Sequence, residues 1–239
     1  SGALQVVVCA PDGTVLRRYA GPAANAGGLQ EPTGLVIASN GRSYILDATT
    51  ASIAEYAPDG QFLGTIPLER RDFYKPRGLS IDSDDHLLVA DTGQNRVLRF
   101  SLSGKLLAVF GGRRGADPGE MLEPTDAALL PSGDVLVLDT GNRRLQWFTP
   151  DGRYRAEWPI NWSVPLNGPH LTLDPQGRPL VTDPERGRFA RYDVERAIVQ
   201  FAGGPGQFQL PVEILRDQSG AIYLVETGGG KVTRLVLSE

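Results

Sequence analysis

One phrase recurs five times in this chain, and no other feature limits its folding as much. Aligned on the residue that precedes each apolar run, the copies start at Pro32, Pro76, Pro124, Gly168 and Pro211, with steps of 44, 48, 44 and 43 residues. Fifteen residues after each start stands an acid: Asp47, Asp91, Asp139, Asp183 and Glu226. A period of this length marks an array of small units, each too thin to bury its own apolar faces, so the units must pack on one another.

Within a unit every run is strand-like. From Gly78 to Gly112 the runs Leu79–Ile81, Leu87–Ala90, Val97–Phe100 and Leu106–Phe110 are separated by turn formers, and the third unit repeats them at 127–130, 135–138, 145–148 and 153–158. No segment carries apolar residues at helical spacing over three turns, so the chain reads as all-β. Four-stranded antiparallel sheets arranged radially pack face to face around a channel, which is a β-propeller. The stretch Leu4–Gly21 aligns with the last two strands of a unit, since Gly13 falls in register with Gly60, Gly104 and Gly152; runs at 212–216, 222–225 and 232–236 supply three more strands. Five blades are expected, with six as the alternative. The units are about 32–75, 76–123, 124–167, 168–210, and 211–239 together with 1–21. Terminal strands from both ends are expected to close the ring and hide its edges.

The runs LLVADTGQNRVLRF (87–100) and VLVLDTGNRRLQWFTPDG (135–152) resemble the NHL repeat. Its acid, Asn and Arg are matched by Asp139, Asn142 and Arg144. In the second unit Asp91 and Arg96 match, with Gln94 in the Asn place. The fourth unit keeps Asp183 and Arg188 with Arg186 for Asn, while Ser52 and Lys231 stand at the Arg position of the first and fifth. The resemblance extends over nearly the whole chain. It implies a propeller, in this family usually six-bladed, that serves mostly as an interaction platform for proteins, RNA or extracellular ligands. Related six-bladed folds, the gluconolactonase-like and peptidyl-amidoglycolate-lyase-like propellers, include metal-dependent lyases and lactonases.

The recurrent acid and Arg pairs read as blade maintenance, because a feature present in most blades serves the blade. Positions where the repeat breaks its own rule say more. Two residues after the start the first two units have Gly34 and Gly78, and the next three have Asp126, His170 and Glu213. A ring brings these places to one end of the channel. Two carboxylates and an imidazole there could hold a divalent metal such as zinc or calcium, or work as an acid and base pair. The other histidine, His86, sits in a DSDDH turn and reads as solvated. Loops between blades frame the same mouth. Tyr74, Arg77, Arg114, Trp162, His170 and Phe208 form the candidate ligand-binding set, since binding hot spots are enriched in aromatic and Arg side chains. Trp158 reads equally as a plug between blades.

Lys and Arg number 24 against 28 Asp and Glu, a net charge of −4, which argues against a surface built for phosphate backbones; nucleic acid ranks behind a protein or peptide partner. A single Cys, Cys9, excludes an intrachain disulfide and a Cys-based zinc cluster. No apolar run approaches the roughly 20 residues of a membrane span, so no membrane insertion is expected, and the chain reads as soluble, either cytoplasmic or an exported bacterial domain. No G-x-S-x-G, H-E-x-x-H or P-loop is present. The reading favoured on sequence is a non-enzymatic scaffold, without cofactor, presenting its loop face and channel mouth to a protein or peptide. The alternative is a metal-dependent lyase or lactonase-type hydrolase with Asp126, His170 and Glu213 as catalytic and metal-holding residues. A second alternative is a structural propeller, or a fragment of a longer array, that self-associates through unpaired terminal strands.

Overall fold

The structure, a computed structural model, describes residues 6–10, 12, 14–19, 29–160, 169–194, 196, 198–217 and 219–237. Two short strands come first, β1 (Val6–Cys9) and β2 (Val15–Tyr19). The first blade holds β3 (Pro32–Ile37), β4 (Ser43–Asp47), β5 (Ser52–Tyr56) and β6 (Phe62–Thr65), and the second β7 (Gly78–Ile81), β8 (Leu87–Asp91), β9 (Arg96–Phe100) and β10 (Leu106–Gly111). The third comprises β11 (Asp126–Leu129), β12 (Val135–Asp139), β13 (Arg144–Phe148) and β14 (Tyr154–Pro159). The fourth comprises β15 (Leu171–Leu173), β16 (Pro179–Asp183), β17 (Arg188–Asp193) and β18 (Ile198–Gly203), and the fifth β19 (Pro211–Arg216), β20 (Ile222–Glu226) and β21 (Lys231–Leu235). Each sheet is antiparallel with its strands in sequence order. The strands stand within a residue or two of the runs read from sequence, and the described helical turns are two short 3-10 segments, Thr92–Gln94 and Pro184–Arg186. No helix among the described residues is long and apolar enough to cross a membrane.

Burial follows position in the blade. The second strands β4, β8, β12 and β16 are buried at every residue, because both faces are covered, by neighbouring blades or, on one face of β4, by the first terminal strand. The outermost strand β14 alternates instead, with one face on the next blade and one in solvent. Each seam between blades has its own core. Tyr44, Leu46 and Ile53 meet Leu87, Val89 and Phe100 in the first seam. Phe110 of the second blade meets Phe148 of the third edge-on, ring centres 5.9 Å apart. Leu138 and Leu145 meet Val181 and Tyr192 in the third seam, and Leu180 and Phe189 meet Ile214 and Leu224 in the fourth. Hairpin glycines serve these seams twice over: Gly104 and Gly152 both take φ +87, and a Cβ on either would lie 2.5 or 2.6 Å from a carbonyl oxygen of the preceding blade.

The result is a five-bladed β-propeller whose inner strands pack in the order β3, β7, β11, β15, β19. Its ends differ in detail from the expected shared blade. Among the described residues β1 pairs with β2, and β19, β20 and β21 keep a separate ladder. Each terminal piece is held by its own core: Val6 and Val8 pack on Leu29, Ile45 and Tyr56 of the first blade, and Leu235 and Leu237 join the fourth seam. This also accounts for the strand in excess of five blades. On this side of the ring β3, β19 and Val6 line a central cavity of about 950 Å³.

The repeated acids act as the sequence suggests. Asp139, fully buried, accepts the Leu122 amide (2.7 Å), Asn142 Nδ2 (2.8 Å), Arg144 Nε (2.8 Å) and Gln146 Nε2 (3.0 Å). The rest of the Arg144 guanidinium donates to the carbonyls of Ala116, Asp117 and Glu120, which pins the loop entering the blade. Asp91 does the same with the Tyr74 amide and Arg96. Asp47, which faces Ser52 instead of an Arg, accepts the amides of Gln30, Glu31 and Thr50.

Candidate functional site

Gly34, Gly78, Asp126 and Glu213 pair across their blades with Leu46, Ala90, Leu138 and Val225, and His170 is tied to Thr182 on β16, its carbonyl accepting the Thr182 amide and its own amide donating to the Thr182 hydroxyl. Each partner is the residue just before the repeated acid, so the five places are structurally equivalent. At two of them glycine is required by crowding. A Cβ on Gly78 would lie 2.3 Å from the Thr125 carbonyl oxygen, and one on Gly34 would lie 2.9 Å from the Leu79 nitrogen. The other three inner strands carry side chains at this level, and these converge.

Asp126 fixes the arrangement. Its Oδ1 accepts the Ala127 amide at 2.8 Å, and its Oδ2 accepts the Leu171 amide of the next blade at 3.0 Å. That second bond crosses the seam and aims Oδ2 at His170 Nδ1, 3.3 Å away. Glu213 Oε2, from the fifth blade, comes within 3.2 Å of the same nitrogen. The His170 backbone amide is held by the Thr182 hydroxyl at 2.9 Å. Asp126 is nearly buried, His170 partly so, and Glu213 keeps 37% of its side chain open to the cavity. One ligand atom from each residue lies within 4.8 Å of the others.

Charge and burial pull on these groups together. Burial acts to lower the His170 imidazole, but the Glu213 charge and the contact with Asp126 override it and push the group up to about 9, against a smaller opposing effect of Arg77. Burial pushes Glu213 up to about 7 despite the imidazole beside it, and the Asp126 charge adds to the rise. Both shifts favour an imidazole that carries its proton beside the two carboxylates at neutral pH.

The remaining residues singled out from sequence are distributed less evenly. Arg77 is exposed on the loop before β7, close enough for its charge to act on His170. Tyr74 is half-exposed on the same loop, its amide on Asp91 and the Lys75 ammonium 5.4 Å from its ring centre. Arg114 lies exposed on the loop after β10. None of Tyr74, Arg77 and Arg114 is among the residues that line the cavity. Phe208 turns away from the mouth and packs with Phe189, 6.2 Å between ring centres, beside a second cavity of about 440 Å³. Trp158 stacks on Trp147 in the seam, while Trp162 lies outside the described residues.

A second group, Asp82, Asp84 and His86, also brings ligand atoms together. There the Arg99 guanidinium already occupies the site, 2.6 Å from Asp82 Oδ2 and 3.0 Å from His86 Nδ1, and Asp82 Oδ1 accepts the turn amides of Asp84 and His86. Asp174 and Asp217 tie their turns in the same way. This group stabilises a turn, so His86 is not simply solvated. What the sequence did not reveal is the apolar wall of the central cavity, formed by Leu35, Ile37 and Leu215. In GLVIAS and VEILR these residues read as ordinary buried strand.

Comparison with known proteins places this geometry. The mouse peptidyl-glycine alpha-amidating monooxygenase is 33% identical over 49% of this chain, and the Xenopus laevis form A is 33% identical over 52%. A probable peptidyl-alpha-hydroxyglycine alpha-amidating lyase of Caenorhabditis elegans is 29% identical over 46%. The matched part spans 13% of the mouse protein, 14% of the frog protein and 32% of the worm protein. Among solved structures, the virginiamycin B lyase of Staphylococcus aureus superposes with a TM-score of 0.64 at 20% identity, over 87% of this chain and 71% of that one. A Bacteroides caccae protein of unknown function gives 0.69 at 13% identity, over 97% and 82%. These likenesses show the fold. Residues 73–100 and 121–148 match the NHL repeat model, so the chain is a β-propeller carrying NHL repeats in its second and third blades.

Proposed function

We propose that this propeller is a metal-dependent enzyme of the lyase kind, with its centre at Asp126, His170 and Glu213. The observation that carries the reading is the convergence of three different side chains, from three consecutive inner strands, on one point of a central cavity. A platform that binds through its loops has no use for such a cluster. The relatives are also named as amidating monooxygenases and lyases, so the comparisons favour an enzyme over the non-enzymatic scaffold expected first from sequence.

The donor set fits a divalent ion. Ligand bonds of about 2 to 2.6 Å allow one ion to reach atoms about 4 to 5 Å apart, and all three ligand atoms lie within 4.8 Å of one another. Two carboxylates with one imidazole suit zinc, manganese or calcium. When bound, such an ion would supply Lewis acidity toward a substrate oxygen. The chain's own part is to hold and orient. Asp126 is locked by two backbone amides, and His170 is steadied through its own backbone by Thr182. The proton on His170 Nδ1 must leave for the imidazole to act as a ligand through that atom. Arg77, whose charge already reaches His170, favours a substrate with a negative group at the mouth.

The substrate class proposed is a peptide ending in α-hydroxyglycine, as the worm relative's name describes for that protein. In that cleavage the hydroxyl loses its proton as the carbonyl forms, the carbon–nitrogen bond breaks, and the nitrogen takes up a proton, giving a peptide amide and glyoxylate. The test is elemental analysis of the purified protein, titration with zinc, manganese and calcium, and a glyoxylate assay. Stoichiometric binding that His170→Ala and Glu213→Gln abolish, while the far-UV circular dichroism spectrum stays that of the parent protein, is expected. Failure to bind any of the three ions removes the reading.

A further inference from the structure

The fourth blade departs from its neighbours at the start of its inner strand. In the second and third blades the residue just before the level of the cluster donates its amide to the adjoining strand, Arg77 to the Ala90 carbonyl at 3.0 Å and Thr125 to the Leu138 carbonyl at 3.1 Å. The matching residue of the fourth blade is Pro169, which has no amide to give. The ladder also begins later there: β7 and β11 start at Gly78 and Asp126, whereas β15 starts at Leu171, one residue past His170. His170 thus stands at the margin of its ladder, joined to it by the Thr182 amide, which donates to its carbonyl at 3.1 Å.

A side-chain hydroxyl supplies the rest of the hold. The residue preceding each repeated acid is Leu46, Ala90, Leu138 and Val225 in four blades, and Thr182 in the fourth. Thr182 is fully buried, where a hydroxyl is costly unless bonded, and its oxygen accepts the His170 amide at 2.9 Å. A second hydroxyl reaches across the packed seam from the third blade. Thr125 Oγ1, also buried, donates to the Pro169 carbonyl at 3.2 Å, beside the bond from the Leu171 amide to Asp126 Oδ2. The backbone on either side of His170 is therefore fixed to the blade that carries Asp126, and its own amide is fixed to β16.

The structure assigns Thr182 and Thr125 as positioning residues: their hydroxyls take over from the ladder bond that Pro169 cannot make, and so set the His170 imidazole against Asp126 and Glu213. This deepens the reading above and rests on it for the ion that the three groups would hold. Ligand distances to a metal tolerate about 0.2 Å, and removing a group that orients a ligand typically lowers ion affinity by about 10–100-fold.

The test compares the parent chain with Thr182→Val, Thr182→Ser and Thr125→Val. Zinc and manganese are titrated calorimetrically into each, and the imidazole resonances of each metal-free protein are recorded at one pH, with His86 as the internal reference. Thr182→Val keeps the shape and loses the hydroxyl; it is expected to bind the ions about 10–100-fold more weakly and to move the His170 resonances while those of His86 stay. Thr182→Ser should return both readouts to the parent values. Thr125→Val, which leaves β16 intact, should act in the same direction, and it decides the matter should Thr182→Val not fold. Parent-strength ion binding in a folded Thr182→Val, whatever its melting temperature, or a Thr182→Ser that behaves like Thr182→Val, overturns the assignment. Failure of the underlying reading looks different: the parent itself binds neither ion. The resonances then decide, and His170 signals that do not move in Thr182→Val defeat the positioning role as well, whereas signals that move and return with Thr182→Ser uphold it.

Discussion

Replacing Arg144 by alanine should be among the most damaging single changes available. Its guanidinium is 7% exposed and pairs with Asp139, which is fully buried. It also carries three loop carbonyls that have few alternatives inside the seam. Breaking a buried pair by removing one partner costs about 3–5 kcal/mol, because the other charge is left uncompensated. For a chain of this size each kcal/mol moves the melting temperature by about 2–4 °C, so Arg144→Ala should fall by roughly 6–20 °C. The cost has a built-in ceiling. Burial already raises Asp139 above the ordinary carboxylate range, against the opposing hydrogen bonds of Asn142, Leu122 and Arg144. Without the guanidinium it rises further and takes a proton. A folded-state carboxyl held above its unfolded value binds its proton more tightly than the open chain does, so its contribution to stability falls as pH rises through that range. The variant's deficit should therefore shrink as pH is lowered from 8 toward 5. Urea unfolding at several pH values measures both effects. A loss below about 1 kcal/mol at pH 8, the size of a surface pair, would refute the claim that these pairs hold the blades together.

Three further outcomes are expected. Gly34→Ala and Gly78→Ala should each cost about 1–3 kcal/mol in urea unfolding, since their Cβ atoms would press on backbone of the adjoining blade. In the metal-free protein the His170 imidazole should titrate near 9 by NMR, with His86 as a second resonance in the same spectra, and Glu213→Gln should bring it down by about one to three pH units. Ion affinity should rise steeply with pH between about 6 and 9, because the ion displaces the protons of His170 and Glu213; a flat profile would count against these ligands. The same two groups set a stability trend in the metal-free protein. His170, raised above its ordinary value of 6.5, contributes stability that is complete below that value and lost as pH rises through about 9, and Glu213, raised from 4.5 to about 7, likewise loses ground with rising pH.

Much of this architecture was legible because a repeat reports on itself five times. Strand limits, blade size and the structural role of Asp139 and Arg144 all follow from comparing one unit with the next. The cluster was legible for the opposite reason: Asp126, His170 and Glu213 depart from the glycine that the repeat sets at Gly34 and Gly78, and equivalence around a ring turns a shared register into proximity. Periodicity cannot say what covers an apolar face. Leu35 and Leu215 stand in runs indistinguishable from those of β8 or β12, yet they face a cavity because, among the described residues, no inner strand packs closely on that side. Nor does sequence fix the direction of a loop aromatic. Phe208 fills a seam because Phe189 and Leu235 provide an apolar surface there. The terminal strands were counted correctly, but strand number alone does not choose a partner; local cores around Tyr56 and Leu224 decided it.

The departure from symmetry also bears on why this ring reads as an enzyme. Blades that differ only in their loops would leave the hub a ring of like residues, satisfied by water. Here three ionisable side chains are placed at the hub, and one of them, Glu213, is held near 7, where its charged form is disfavoured by burial. Gathering such groups costs desolvation that a structural ring has no reason to bear, and clusters of this kind concentrate at functional sites. Asp126 could have formed an ordinary blade contact with the Leu171 amide alone. Instead its Oδ2 also faces His170, and Glu213 approaches the same imidazole nitrogen. One carboxylate locked by the backbone, a second open to the cavity and an imidazole whose Nδ1 meets both are the arrangement on which the proposed ion site rests.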